Sequence, residues 1–143
     1  MKDEAVEISF LVSGKPVGKG RPRFTRAGGA YTPKQTVDQE KRVAAAAWQA
    51  MVLAGYTVTD KSVAAQIVIE APIPKSWSKG DRLAAELGAK RPGKPDLDNV
   101  AKLVLDACNR VVYHDDAQVH HLTISKRYGP GDGQVSVKMA WTN

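Results

Sequence analysis

Hydrophobic and polar positions along the chain follow two periods, one of strands and one of helices. From Val6 to Val12 the residues read Val-Glu-Ile-Ser-Phe-Leu-Val, first alternating and then continuously apolar. That pattern, rich in β-branched types, predicts a strand. Ser13-Gly14 turns the chain. Thr32-Pro33-Lys34-Gln35 reads as a capping box, with Thr32 as the cap and Pro33 at the first helical position. The alanine-rich run Val43 to Ala47 favours helix, which continues to Ala54 and stops at Gly55. Val37, Ala44, Ala47, Trp48 and Met51 define its apolar stripe, so Trp48 is expected in the core.

Strand periodicity returns from Val63 to Ile73, where Ile67, Ile69 and Ala71 alternate and Pro72 and Pro74 end the run. Glu70 points away from these three and is expected in solvent, a place beside a metal being the alternative. Ser78 to Leu87 reads as a short capped helix, and Trp77 before it as an aromatic packed under its loop. Asp98 to Arg110 is helical in pattern. Val100, Ala101, Val104, Leu105 and Cys108 lie on one face; Asn99, Lys102, Asp106 and Asn109 lie on the other. Gln118 to Tyr128 and Gln134 to Trp141 are two strands around Gly129-Pro130-Gly131-Asp132-Gly133, a turn-rich loop that predicts a hairpin. The sum is an α+β fold: a mixed sheet of about four strands with helices packed on it.

Length and composition narrow the setting. The 143 residues suffice for one domain, residues 1–143, with a sizeable core. No apolar run is long enough to cross a bilayer, and Met1-Lys2-Asp3-Glu4 lacks the apolar region of a signal peptide. The lone cysteine, Cys108, excludes an internal disulfide framework and suits a reducing, cytoplasmic location. The net charge of +6 suits a polyanionic partner without specifying any chemistry.

The charge is concentrated. Lys15 to Arg26 holds Lys19, Arg21, Arg23 and Arg26, and its two prolines prevent a helix. A P-loop is excluded, because Gly14 and Gly18 are too close together and Gly20 follows Lys19 where Ser or Thr is required. The functional reading is an arm that follows a phosphate backbone; the plain one is a solvated basic loop. A second basic run, Lys90-Arg91-Pro92-Gly93-Lys94, leads into Pro95-Asp96-Leu97-Asp98-Asn99-Val100-Ala101-Lys102. A lone Asp here would cap a helix. A helix needs one cap, however, and two acids two residues apart are what a partly hydrated Mg²⁺ or Mn²⁺ takes. Asp115-Asp116 is either a simple turn or the rest of such a site. A helix from Asp98 to Arg110 is roughly 18–20 Å long, and the chain from Arg110 to Asp116 reaches about 20 Å if extended. An extended Val111-Val112-Tyr113 would therefore just bring Asp116 back to Asp96 and Asp98. Lys102 would face the same cavity, unless it only pairs with Asp98 or Asp106. The three histidines make no zinc pattern, and His120 and His121 point to opposite faces of a strand.

The run Lys-Pro-Asp-Leu-Asp-Asn-Val-Ala-Lys-Leu-Val-Leu-Asp-Ala, followed by Tyr-His-Asp-Asp-Ala-Gln-Val, resembles the RusA family of Holliday junction resolvases. The Gly-Lys-Gly-Arg-Pro-Arg-Phe arm is similar to that of phage and prophage members. The resemblance implies a homodimeric, Mg²⁺-dependent endodeoxyribonuclease that nicks four-way DNA junctions symmetrically. It places the catalytic acids and metal ligands on Asp96, Asp98 and Asp116, with Asp115 beside the last, and the catalytic lysine on Lys102. Lys19, Arg21, Arg23, Arg26, Lys90, Arg91 and Lys94 would contact DNA. Two alternatives stand beside it: a junction-binding protein without catalysis, and a metal nuclease acting on flaps, forks or RNA.

Overall fold

A computed structural model describes residues 4–143; the signal-peptide reading rests on Met1 to Asp3 and so lies largely outside them. In chain order the elements are β1 (Ala5–Ser13), the short strands β2 (Arg23–Phe24) and β3 (Ala30–Tyr31), and α1 (Lys34–Ala54). Then come β4 (Val63–Pro72), α2 (Lys79–Glu86), α3 (Leu97–Ala107), a 3₁₀ turn at Asp116–Gln118, β5 (Val119–Gly129) and β6 (Gln134–Thr142). Four strands form one mixed sheet in the order β1-β6-β4-β5, so the α+β expectation holds. No helix among the described residues is long and apolar enough to cross a membrane.

Period-two patterning decides which sheet face is covered. Val6, Ile8 and Val12 of β1, Ile67 and Ile69 of β4, and Val135, Val137 and Met139 of β6 are buried on one side. Val43, Ala47 and Met51 of α1 pack there with Val100, Leu103 and Val104 of α3. The alternate positions, such as Glu7, Ser9, Gln66 and Lys138, face solvent. Both long helices therefore lie on the same face, which sets the polar side of α3 next to α1.

Several expectations need correction. β5 and β6 do not form a hairpin, because β4 lies between them, parallel to β5 and antiparallel to β6. β4 is the most apolar strand, and an interior position gives it a hydrogen-bonded neighbour on each edge. The Gly129–Gly133 loop passes over its end so closely that a Cβ at Gly133 would lie 2.7 Å from the Glu70 carbonyl oxygen. Glu70 itself is 8% exposed rather than solvated: Gln134 Nε2 donates to it at 2.8 Å, and Arg127 stands 3.6 Å away. Trp48 is 62% exposed, because the buried stripe of α1 runs through Thr36, Gln39, Val43, Ala47 and Met51, one residue out of phase with it. The N-cap of α1 is Pro33 and it makes no side-chain cap bond; the expected capping box at Thr32 is absent.

Trp77 does pack under its loop, edge-on to Tyr128 at 5.3 Å, with the Lys90 ammonium 4.9 Å above its ring. Ser78 caps α2 by accepting from the Asp81 amide, as its sequence suggests.

The segment after α3 matters most for function, and it is a tight turn rather than the extended path expected of Val111 to Tyr113. The helix ends at Ala107 with Cys108 as its C-cap. The amides of Val111 and Val112 both donate to the Cys108 carbonyl, and the Arg110 amide donates to the Tyr113 carbonyl at 2.6 Å. Arg110 takes a left-handed φ of 66° to make this possible. Apolar burial drives the turn, since Val112 and Tyr113 are wholly enclosed. The Tyr113 hydroxyl donates to the Leu105 carbonyl at 2.6 Å, satisfying a group that the end of the helix leaves unpaired.

Tyr113→Phe keeps the ring and removes that donor. It should cost about 0.5–1.5 kcal/mol, the usual net contribution of one hydrogen bond. Urea unfolding would show this as a lower midpoint at unchanged slope. An unchanged midpoint would mean that the turn does not depend on the bond.

Candidate active site

Asp96 is the N-cap residue of α3 and Asp98 lies in its first turn. Asp96 does not cap through its side chain. Its carboxylate receives instead a contact from Lys94 Nζ at 3.5 Å and one from Asn99 Nδ2 at 3.4 Å. Both acids are exposed and stand at the positive end of the helix dipole, where negative charge is favoured. The loop before them is held by a residue the sequence did not single out. Lys126 on β5 donates to the carbonyls of Gly93 at 2.9 Å and Pro95 at 3.3 Å.

Asp115 and Asp116 have separate tasks. The Asp115 side chain accepts from the Ala117 amide at 3.0 Å and caps the 3₁₀ turn. Gln118 completes the cap, accepting from the amides of His114 and Asp115 and donating to the carbonyls of Thr59 and Lys61. Asp116 is left free to face α3. The residue it meets there is Asp106, close enough for the two carboxyl groups to perturb each other. Asp106 lies two helical turns beyond Asp98, roughly 12 Å along the axis. The tight turn thus delivers Asp116 to the C-terminal half of α3 and not to the acids at its start. Among the described residues, no three acidic, histidine or cysteine side chains stand close enough together to hold one metal ion.

Asp106 was legible only as part of a polar helix face, yet it is the centre of this cluster. Lys19 Nζ donates to its Oδ2 at 2.7 Å and stands 3.1 Å from Glu40 Oε1, an ion pair without hydrogen-bond alignment. Burial opposes the charge on Asp106. The hydrogen bond from Lys19 and the interaction with Asp116, with the charges of Lys19 and Lys102, outweigh it and hold the carboxyl below its usual range. Asp116 moves the other way: contact with Asp106, then burial, then the neighbouring Asp115 push it above the usual carboxylate range. Burial likewise opposes the charge on Lys19, and its two carboxylate partners outweigh it and raise its pKa.

The cations fall into two groups. Arg21, Arg23 and Arg26 are exposed around the β2–β3 hairpin and make no ion pair among the described residues. Phe24 and Tyr31 are exposed beside them, so aromatic and basic residues interleave on this hairpin. Lys102 is exposed on α3 and also free of ion pairs among the described residues. Lys90 pairs with Asp81 at 3.4 Å, Lys94 with Asp96, and Lys19 is only 26% exposed in its side chain. Arg91 is exposed.

This arrangement of acids and cations can be set beside known proteins. The family model described as Endodeoxyribonuclease RusA matches residues 13–140. The chain belongs to the RusA endodeoxyribonuclease family. It is 37% identical over 127 residues to the uncharacterized protein YqaN of Bacillus subtilis (strain 168), covering 85% of this chain and 87% of that one. The RusA match spans every element of the site, from Gly18 and Lys19 to Asp116, and most of the sheet beneath it.

Asp116→Asn should stabilise the metal-free protein at neutral pH. The folded-state pKa of Asp116 is raised, so its ionised form costs stability above that pKa and costs nothing well below the ordinary Asp value. The gain should be under about 1 kcal/mol because the group faces solvent, and it should fade as the pH falls towards about 4. Thermal unfolding at pH 7 and pH 4 in EDTA measures it; a loss of stability at pH 7 would contradict the assigned repulsion.

Proposed function

We propose that the protein is a divalent-metal-dependent endodeoxyribonuclease that resolves four-way DNA junctions. One observation carries this reading beyond family membership. Acids from two separate segments are gathered along α3, and a basic arm whose arginines make no ion pair among the described residues starts beside them. Metal-assisted hydrolysis of a phosphodiester uses both: oxygen ligands for a metal, and cations that bring the polyanion in against the repulsion of those ligands.

The donor set fits Mg²⁺ or Mn²⁺ in kind. Asp96, Asp98 and Asp116 are hard oxygen donors, Asp96 and Asp98 open to solvent and Asp116 partly so, and such ions keep several waters and substrate oxygens in their shell. Asp96 and Asp98 would hold the ion directly or through water, with Asp116, which rests against Asp106 further along α3, joining them once DNA and the ion draw the acids together. Asp115 is occupied by its cap, which favours Asp116 over it. The bound ion would polarise the phosphate and lower the pKa of the attacking water. Lys102, extended from the next turn of the helix, would stabilise charge that develops on a phosphate oxygen. Arg21, Arg23, Arg26, Arg91 and Lys94 would contact backbone phosphates. A homodimer would present two such sites to the two equivalent strands of a junction and so make paired nicks.

The decisive experiment incubates the protein with a labelled four-way junction in Mg²⁺, Mn²⁺ or EDTA, with flap, fork and RNA substrates in parallel. Symmetric nicks that need the metal support the reading. Binding with no cleavage under any metal would leave a junction-binding protein. Equal cutting of flaps and junctions would leave a less selective nuclease.

Two substitutions probe the assignments. Asp98→Asn should lower cutting by about a hundredfold or more and keep or tighten junction binding, since it removes negative charge near phosphate. A variant that cuts at the normal rate shows that the acid was wrongly chosen. Arg21→Ala with Arg23→Ala should weaken binding and flatten its dependence on log salt by up to about two units; an unchanged slope returns the arm to a solvated loop.

A further inference from the structure

The basic arm does not simply leave the sheet. Its Gly18-Lys19-Gly20 segment is wedged between the two long helices. The Lys19 amide donates to the Asn99 carbonyl at 2.8 Å, and the Gly20 amide donates to Thr36 Oγ1 at 2.9 Å. The fit leaves no room for side chains at either glycine. A Cβ at Gly18 would lie 2.9 Å from Asn99 Cβ, and one at Gly20 would lie 3.0 Å from both Pro33 Cγ and Thr36 Oγ1. From this wedge the Lys19 side chain runs along α3 to Asp106 and Glu40. Its backbone and its ammonium therefore grip the same face of α3 at residues seven apart, roughly two turns.

We propose that Lys19 is a positioning residue for the carboxylate cluster and not a phosphate contact. Sequence alone groups it with Arg21, Arg23 and Arg26, but its surroundings differ from theirs. Two carboxylates already occupy the ammonium, and Asp116 lies beyond one of them. Lys19, Glu40, Asp106 and Asp116 together carry net negative charge when ionised, which repels phosphate. What the ammonium can do is hold Asp106 in place, and Asp106 is the group that Asp116 rests against. Without Lys19, Glu40, Asp106 and Asp116 would face one another with no cation between them. Asp106 would then turn away, and Asp116 would lose the partner that fixes its direction. The inference rests on the nuclease reading above, because it gives Lys19 its effect on cutting through Asp116.

The test compares Lys19→Met and Lys19→Arg with the unaltered protein in two assays. The first measures junction affinity in EDTA across a salt series. The second measures the single-turnover cutting rate at saturating junction and Mg²⁺. For Lys19→Met we expect affinity within about twofold, an unchanged salt slope, and a cutting rate at least tenfold lower. Lys19→Arg, which keeps the charge and the donors, should restore most of that rate. Asp106→Asn should reproduce the Lys19→Met pattern, and it stands in for that variant should Lys19→Met not fold. In EDTA, hydrogen exchange at the Lys19 and Gly20 amides should quicken in Lys19→Met, with the amides of β4 and β6 unchanged. A salt slope flatter by about one unit with a normal rate at saturation would make Lys19 a phosphate contact and overturn the proposal. A normal rate with a normal slope would also overturn it, leaving only a structural ion pair. If the unaltered protein cuts nothing, the nuclease reading fails on its own. The salt slope of Lys19→Met then still tests the claim that Lys19 is not a phosphate contact.

Discussion

Carboxylates placed close together repel, and the region around α3 is shaped by the need to hold several of them there. Asp106 and Asp116 are in contact, Asp115 is next in sequence, and Glu40 lies across from them on α1. Each charge is managed differently. Asp115 is turned into a cap, Asp106 and Glu40 share the Lys19 ammonium, and Asp116 is left partly uncompensated. An acid held against repulsion in the free protein is one that a divalent cation can relieve. The same local cost that destabilises the empty site therefore adds to the affinity of the filled one.

That arrangement depends on the scaffold in a traceable way. The sheet's apolar face fixes α1 and α3 side by side, which brings Glu40 and Asp106 within reach of one lysine. The tight turn after α3 is driven by burial of Val112 and Tyr113, and it determines which turn of the helix Asp116 meets. An extended return, which the β-branched residues of this segment suggest, would have carried Asp116 towards Asp98. Local propensity gave way here to the burial of a tyrosine whose hydroxyl found a helix carbonyl.

What was legible in the sequence follows from which signals are local. The four long strands, the end of α1 at Gly55, the Ser78 cap and the start of α3 to within a residue of Asp98 are set by period and by residues within a few positions, and all were readable. Strand order was not, because β5 and β6 are adjacent in sequence yet separated by β4, and only the need of the central strand for two partners explains it. Trp48 was misplaced because an alanine-rich helix offers several nearly equivalent apolar stripes, and the true one runs through Thr36 and Gln39. Asp106 was missed for a further reason. Its defining partner is Lys19, 87 residues away, and nothing in the spacing of either residue announces the other.

The same distinction bears on how charge should be read in such a chain. A run of basic residues looks uniform in sequence, but the backbone sorts it. Gly18 and Gly20 let the chain pass close enough to both helices for Lys19 to turn inward, whereas Pro22 and the hairpin that follows send Arg21, Arg23 and Arg26 outward. One lysine is thereby spent on the anchor and the three arginines remain for a partner. The anchor also ties the start of the arm that carries the arginines to the α3 face that carries Asp106. An arm tethered only by a flexible loop would attract DNA equally well at long range. It would not define which phosphate arrives at the carboxylates, and for a nuclease that placement is the greater part of the task.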